Sequence, residues 1–311
     1  MNIPNVEQQS MKLQTKGHKR HRRRFSFLEG WLYLLPSLFL FTAFLFYPMV
    51  RTVYLSLFYT DTQGKPMAFA GMENFTALLS SSSFLLSVKS TFLFVLYTVP
   101  VGVLLALGLA LLANQKLAGI GFFRTIFSST MGMSVAASSV IWMFIYNPSI
   151  GFANRLLTWF GLPEMQFLLD PSTALIAVAV ATIWMNTGFT FLILLGGLQN
   201  IDSQLYESAK IAGVSSFYSL RKITLPMLSP TLFFVITVSM INSFQTFGQI
   251  DILTKGGPID STNVIVYSIY KDAFINYNIG SASAQAVILF LCVFLVTIIQ
   301  FKLGERKVHY Q

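Results

Sequence analysis

The sequence has 311 residues, of which 54% are hydrophobic and 11% are charged, and its mean hydropathy is +0.63. A soluble domain carries roughly 25% charged residues, so these values exclude an ordinary soluble enzyme and predict a polytopic membrane protein. The net charge of +9 does not indicate nucleic-acid binding, because seven of the 21 basic residues fall between Lys12 and Arg24 and no nucleic-acid motif surrounds the others.

The first apolar segment directly follows that basic cluster. The stretch from Trp31 to Val50 supplies the roughly 20 residues that a helix needs to cross the hydrocarbon core. No small-x-small cleavage signal follows it, and a basic flank resists translocation. We therefore expect a retained first helix, preceded by a cytoplasmic tail.

Five further apolar segments bring the predicted number of spans to six, which places both termini on one side. The five are Phe84 to Leu112, Phe122 to Tyr146, Ala174 to Leu198, Pro230 to Phe247 and Ala284 to Phe301. No period typical of membrane strands recurs, so the expected fold class is an all-α membrane protein. The expected organisation is a basic tail at 1–30, the first helix with its outer loop at 31–83, the main transmembrane domain at 84–301, and a cytoplasmic tail at 302–311.

The distribution of basic residues supports a cytoplasmic N-terminus. With that orientation, 15 Lys and Arg lie inside and six lie outside, as the positive-inside rule requires. Small residues at four-residue spacing predict close helix contacts at Gly102, Ala106 and Ala110 and at Ala177 and Ala181. We expect interfacial anchors at aromatic residues near span ends, namely Trp31, Trp142, Tyr146 and Trp159.

The inner connection from Gln199 to Ser229 is patterned as helix, glycine, helix, proline. Asp202 can cap the first helix, and Gly213 can end it in a left-handed conformation. Ser215 or Ser216 can then begin a second helix, which Pro226 is expected to close. The apolar face of the first helix must pack against another surface, and its residues are Leu205, Ala209 and Ala212.

The residues of this connection carry a family resemblance. Glu207-Ser208-Ala209, three residues, Gly213, nine residues and Ile223-x-Leu225-Pro226 resemble the Glu-Ala-Ala loop of permease subunits in binding-protein-dependent ABC importers. Two positions depart from that pattern, because Ser208 stands where Ala is usual and Ala212 where Asp is usual.

Other stretches resemble the carbohydrate-uptake branch of these importers, which includes sn-glycerol-3-phosphate and maltose-type permeases. They are Tyr47-Pro48, Gly71-x-Glu73-Asn74-Phe75, Gly256-Gly257-Pro258 with Thr262, and Gly280-Ser281-Ala282-Ser283-Ala284. The ending Lys307-Val308-His309-Tyr310-Gln311 is most similar to the glycerol-phosphate members.

The resemblance implies a multi-pass inner-membrane subunit with a cytoplasmic coupling helix between spans four and five. It also implies a second homologous permease, two ATPase subunits that carry ATP and Mg, and an extracytoplasmic solute-binding protein. The cargo would be a mono- or oligosaccharide or sn-glycerol 3-phosphate. The ATPase-coupling residues would be Glu207, Ser208, Ala209, Gly213, Ile223, Leu225 and Pro226.

The sequence contains no signal for chemistry of its own. No Gly-x4-Gly-Lys-Ser/Thr loop is present, since the Gly64-Lys65 pair continues with Pro66, so we expect ATP hydrolysis by partners. The three histidines fall in polar tails and Cys292 is the sole cysteine, which provides no metal cluster or catalytic triad. We expect no bound cofactor and no enzyme activity.

Uncharged polar residues recur at helical spacing on the fourth and fifth spans. Amides, hydroxyls and aromatic faces together bind sugars, although the same groups can simply hydrogen-bond neighbouring helices. The candidate substrate-pathway residues are Trp184, Asn186, Asn242, Ser243, Gln245 and Phe247.

Two other functions remain open from the sequence. A membrane scaffold or sensor could recruit a cytoplasmic partner through the same inner loop, although the sequence contains no signalling module. A channel is disfavoured, because no ring-forming carboxylates or filter-like glycine run occurs. No basic residue lies in the central spans, so a phosphorylated cargo is expected from the resemblance alone.

Overall fold

The computed structural model describes residues 31–115 and 117–304. The predicted N-terminal tail, Lys116 and most of the C-terminal tail lie outside the described residues. The chain divides into two compact units, Met1–Tyr54 and Leu55–Gln311.

Helix α1 (Trp31–Leu55) supplies the described part of the first unit. It runs for 25 residues, which is enough to cross a hydrocarbon core of about 30 Å, and it contains one π-turn at Thr42–Phe46. Its side chains are exposed along nearly the whole helix, as suits a helix surrounded by lipid.

The second unit begins with a two-stranded antiparallel hairpin, β1 (Phe58–Thr60) and β2 (Pro66–Phe69), which the all-α prediction missed. The helices that follow are α2 (Glu73–Ser80), α3 (Ser82–Ala113), α4 (Ile120–Ser128), α5 (Val135–Ile145), α6 (Phe152–Trp159), α7 (Ala174–Gln199), α8 (Ser203–Ile211), α9 (Ser216–Met227), α10 (Ser229–Phe244), α11 (Gly248–Leu253), α12 (Ile265–Tyr270) and α13 (Ile279–Gly304). Helices α1, α3, α7 and α13 are each long and apolar enough to cross a membrane. The described chain has up to six spans if each of two bent helix pairs is counted as one.

The third predicted span is one of these bent pairs. The sequence predicted a continuous helix over residues 122–146, but the chain turns by 107° between α4 and α5. A 3-10 turn at Ser129–Gly132 ends the first half. Ser134 then starts α5, because its side chain accepts a hydrogen bond from the Ala137 amide (3.1 Å). Short hydroxyl side chains that compete for backbone groups explain the interruption.

The fifth span begins after the other bend. Pro226 was predicted to close the preceding helix, but α9 continues through it to Met227, and the 67° bend to α10 falls at Leu228. The π-turn Leu220–Thr224 precedes this proline and shifts the local backbone hydrogen bonds, which makes room for a residue that lacks an N–H. At its other end α10 stops at Phe244, three residues before the predicted limit.

The main packing seam joins α3 and α7. Ala106, Ala110 and Ala181 are 0% exposed and Ala177 is 3% exposed, so the predicted small-residue contact faces are confirmed. A methyl group on Gly102 would lie 3.8 Å from the side chain of Ile183. Such a seam allows the large side chains Phe191, Leu194 and Leu198 to pack with the start of α10 in one buried cluster.

Two of the four predicted interfacial aromatics belong to the protein core instead. Tyr146 is 6% exposed, and its hydroxyl donates to the carbonyl of Ala177 (3.1 Å). The ring of Trp142 lies 5.0 Å from the ring of Tyr146. Trp31 and Trp159 are exposed, at 50% and 83%. The core position follows from the bend before α5, which places this short helix against α7.

Two of the motifs that resemble the carbohydrate-uptake branch meet at the hairpin. Asn74 is 7% exposed and donates to the carbonyls of Ser56 (2.8 Å) and Phe58 (3.1 Å). The Gly280 amide donates to the Thr60 hydroxyl (3.0 Å), and a methyl group on Gly280 would lie 2.5 Å from the Phe58 carbonyl. Asn74 therefore ties the start of the hairpin to α2, and Gly280 ties the hairpin to the start of α13.

We predict that Gly188→Ala destabilises the fold. An added methyl would lie 2.7 Å from the Thr130 hydroxyl and 2.8 Å from the Met131 amide, and such overpacking costs about 1 to 3 kcal/mol. The melting temperature in mild detergent should fall. The matched control is Gly196→Ala in the same helix, where the methyl meets no described atom within 4 Å. Equal melting temperatures for the two variants would contradict the prediction.

Candidate functional site

An open cleft lies between the middle parts of α3 and α7 and the last turns of α10. Its walls combine polar side chains, mostly from α7 and α10, with glycine and apolar residues. The lining residues are Thr98, Gly102, Val103, Thr182, Ile183, Asn186, Thr187, Phe189, Thr190, Val238, Ser239, Asn242 and Ser243.

Most hydroxyls around the cleft already donate to protein groups. Thr182 and Thr187 donate to carbonyls four residues earlier in α7, at 2.8 and 2.6 Å. Thr98 bonds the Phe94 carbonyl (2.8 Å) and lies 2.9 Å from the Ser243 hydroxyl of α10. These hydroxyl protons are used in hydrogen bonds within the protein. The lone pairs of the hydroxyl oxygens remain, so the cleft walls can accept hydrogen bonds from a solute.

Two amides have spare hydrogen-bonding capacity. Asn186 and Asn242 are exposed to the cleft, and their side chains make no hydrogen bond to another described residue. A carboxamide offers two donors and an acceptor, so this pair can exchange hydrogen bonds with several hydroxyls of one solute. No charged residue is among the described residues that line the cleft.

The structure brings together three of the six predicted pathway residues. Asn186, Asn242 and Ser243 line the cleft. Trp184 points elsewhere and packs edge-on against Trp142, with ring centroids 5.9 Å apart. Gln245 lies beyond the end of α10 and is exposed.

Phe247, the sixth predicted residue, lies among outer aromatic rings, with its ring centroid 5.0 Å from that of Tyr270. Sequence reasoning placed it in α10, so the early end of that helix explains the difference. The sequence also missed Thr98 and Thr187, since neither belongs to an obvious polar stripe. The nearby Pro100 inside α3 marks an unusual position in that helix.

The loop between α7 and α10 forms two short helices with the predicted caps. Asp202 accepts from the Gln204 amide (2.9 Å) and so caps α8. Gly213 adopts a φ of +71°, while the next amide, from Val214, donates to the carbonyl of Ala209 (3.0 Å). This arrangement is a helix stop of the Schellman type. Ser215 then caps α9 through the Tyr218 amide (3.3 Å).

The predicted coupling residues occupy two environments within this loop. Glu207 and Ser208 are exposed, whereas Ala209 is 9% exposed. Ile223, Leu225 and Pro226 are half-buried where α9 approaches the spans. The expected apolar face of α8 is only partly covered, because Leu205 is 39% exposed and Ala212 is also exposed.

Three large side chains of the loop are exposed to a high degree. Ile211 is 89% exposed, Phe217 is 72% exposed and Tyr218 is 53% exposed. We call these three residues the loop patch. The loop therefore exposes this patch, whereas Ala209 is buried and Ile223 and Leu225 are half-buried.

The family model for the inner membrane component of binding-protein-dependent transport systems matches residues 68–309. The chain is a member of this permease family. The match spans the cleft, the loop and the outer motifs, so all three belong to one transport subunit of the inner membrane.

Curated relatives of the permease align over most of both chains. The sn-glycerol-3-phosphate transport system permease protein UgpA of Agrobacterium fabrum is 36% identical over 281 residues, which covers 90% of this chain and 96% of the relative. The protein of the same description from Pectobacterium atrosepticum is 33% identical, with 92% and 98% covered.

A solved structure supports the fold of the permease. It is a bacterial alginate ABC transporter in complex with an alginate pentasaccharide-bound periplasmic protein. The matching chain has a TM-score of 0.79 at 23% identity, and the match covers 94% of the permease and 99% of that chain. Helix order and packing are therefore shared where the sequences have diverged.

We predict that Gly213→Ala loosens α8 without unfolding the spans. The surroundings of Gly213 are open, so the cost arises from the left-handed backbone, which disfavours an alanine by about 1 to 2 kcal/mol. Trypsin cleavage after Lys210 in mild detergent should become at least about fivefold faster. Gly213→Asn is the control, since asparagine tolerates this conformation better. Identical cleavage in all three proteins would refute this explanation of the helix stop.

Proposed function

We propose that this permease is one half of the membrane pathway of an ABC importer for a carbohydrate or a polyol phosphate. The observation that carries the proposal is the connection between cleft and loop. Helices α7 and α10 both line the cleft, and the loop that contains the Glu-Ala-Ala-like motif joins the end of one to the start of the other. A displacement of this loop would act on two cleft walls at once.

The proposed topology has six spans with both termini in the cytoplasm. It counts the pairs α4–α5 and α9–α10 as one span each. The excess of basic residues in the segments assigned to the inside supports this orientation, and it places the loop between spans four and five in the cytoplasm. The proposed organisation keeps residues 1–30 and 302–311 as cytoplasmic tails, 31–83 as the first helix with its outer loop, and 84–301 as the permease domain.

The proposed energy source is a pair of ATPase subunits that bind ATP and Mg and receive the loop from the cytoplasmic side. The loop patch offers an apolar contact, and the exposed Glu207 offers a charge to a basic group of the ATPase. The absence of a phosphate-binding loop in the sequence agrees with hydrolysis by partners. A second homologous permease would complete the pathway, and an extracytoplasmic binding protein would deliver the solute.

The proposed mechanism is alternating access to the cleft. ATP binding would close the ATPase pair and move the loop, and the connected helices α7 and α10 would rock against α3. The amides of Asn186 and Asn242 would hold solute hydroxyls. Phe189 would supply an apolar face in the same cleft.

The uncharged lining of the cleft indicates which groups of the solute this chain would contact. The named function of the curated relatives is sn-glycerol-3-phosphate transport, and a phosphate is best held by Arg or Lys. Because the described cleft lining is uncharged, we propose that this chain contacts hydroxyl groups. A cation for any phosphate would come from the second permease.

The first test is co-expression of the chain with its gene neighbours, followed by purification in mild detergent and ATPase assays in lipid. We expect an ATPase to copurify. Hydrolysis should rise when the binding protein is added with one ligand from a panel of sugars and sn-glycerol 3-phosphate, and that ligand identifies the cargo. Purification of the chain alone would overturn the proposal and favour the scaffold or sensor.

The second test separates the cleft from its surroundings. Asn242→Ala should weaken uptake about fivefold, the typical effect of losing one net hydrogen bond, while assembly and basal ATP hydrolysis stay unchanged. Gln245→Ala is the matched control, because this amide belongs to the same segment but does not line the cleft. The cleft assignment fails if uptake kinetics of Asn242→Ala match those of the parent protein.

A further inference from the structure

Tyr206 differs from its neighbours in α8 in the direction of its side chain. Glu207 and Ser208, which follow it, are exposed, whereas Tyr206 is half-buried. Its ring packs against the buried cluster to which Leu198 and Leu228 belong. The tyrosine therefore connects the exposed coupling helix to the cytoplasmic end of the helix core.

The hydroxyl of Tyr206 makes a specific contact across the loop. It lies 3.0 Å from the hydroxyl of Thr224, which is 5% exposed. Thr224 also donates weakly to the Ser219 carbonyl (3.4 Å), so its oxygen is available to accept the tyrosine proton. This hydrogen bond links α8 directly to α9 across the helix stop at Gly213.

Thr224 lies at the position from which a movement of the loop would pass to α10. It is the last residue of the π-turn, and its carbonyl accepts from the Leu228 amide (2.9 Å). Leu228 is 0% exposed and lies at the bend into α10. A π-turn inside a helix commonly marks a functional site. Tyr206, Thr224 and Leu228 thus form a continuous path from the coupling helix to a wall of the cleft.

We propose that the Tyr206–Thr224 hydrogen bond is a coupling tie that makes α8 and α9 move as one body. This inference rests on the proposed function, in which an ATPase moves the loop. The apolar ring anchors α8 to the core, and the hydroxyl makes α9 follow. Without the tie, α8 is free to pivot at Gly213, where the space around the backbone is open, and its movement no longer reaches α10.

The test uses the assembled transporter in lipid with its binding protein and measures solute imported per ATP hydrolysed. Tyr206→Phe removes only the hydroxyl and keeps the ring. We expect it to lower this ratio about fivefold, the typical effect of one hydrogen bond, with ATPase copurification and basal hydrolysis unchanged. Thr224→Val should have the same effect, and the double variant should be no worse than either single one. Thr224→Ser keeps the hydroxyl, so the ratio of solute imported to ATP hydrolysed should equal that of the parental transporter.

The control is Tyr33→Phe, which removes a hydroxyl from an exposed side chain of α1 and should leave the ratio unchanged. A parental ratio in Tyr206→Phe, or additive losses in the double variant, would overturn the coupling tie. If the parental transporter itself shows no solute-stimulated hydrolysis, the proposed function fails instead, so the two failures are distinguishable. Should Thr224→Val not assemble, the comparison of Tyr206→Phe with Thr224→Ser still decides.

Discussion

The close approach of α7 to its neighbours is the constraint on which the rest of the second unit depends. Alanines at four-residue spacing bring α3 and α7 together over their length. On its other sides, α7 has glycines where the Ser129–Gly132 turn and the start of α10 touch its backbone, at Gly188 and Gly197. Lipid offers no hydrophobic driving force between helices, so this complementary packing has to position all three walls of the cleft.

Polar residues within that packed region are divided between those that bond to the protein itself and those left available to the cleft. Threonines that donate to their own helix avoid the cost of an unsatisfied group in lipid, and the bond between Thr98 and Ser243 ties α3 to α10. The longer amides of Asn186 and Asn242 line the cleft with donors that no described residue uses. Under the proposed function, these amides would exchange hydrogen bonds with water for hydrogen bonds with a hydroxylated solute, and the small net energy of each exchange would allow the solute to leave again.

The sequence predicted features with local causes and missed those that arise from packing. The caps at Asp202, Gly213 and Ser215 follow from backbone chemistry within a few residues, and apolar length located the long helices. The break before α5 has local causes, but it also brings the Thr130 hydroxyl to the Gly188 amide (3.0 Å), 58 residues away in the chain, and hydropathy gives no sign of that contact. The positions of Trp184 and Phe247 likewise depended on helix rotation and on a helix end that hydropathy does not define.

The motifs that contain Asn74, Gly280 and Thr262 can be recognised in the sequence, but their structural roles follow only from the contacts that they make in the fold. Asn74 and Gly280 meet at the Phe58 carbonyl, where a β-carbon on the glycine would not fit. In the last outer loop the Thr262 hydroxyl holds the Gly257 carbonyl (2.7 Å). These contacts tie the hairpin to α2 and α13 and hold the backbone of the loop between α11 and α12. In the proposed transport cycle, the contact between Tyr206 and Thr224 would carry a displacement of the loop to α10, so the cleft would open and close from the end of α10 that joins the loop.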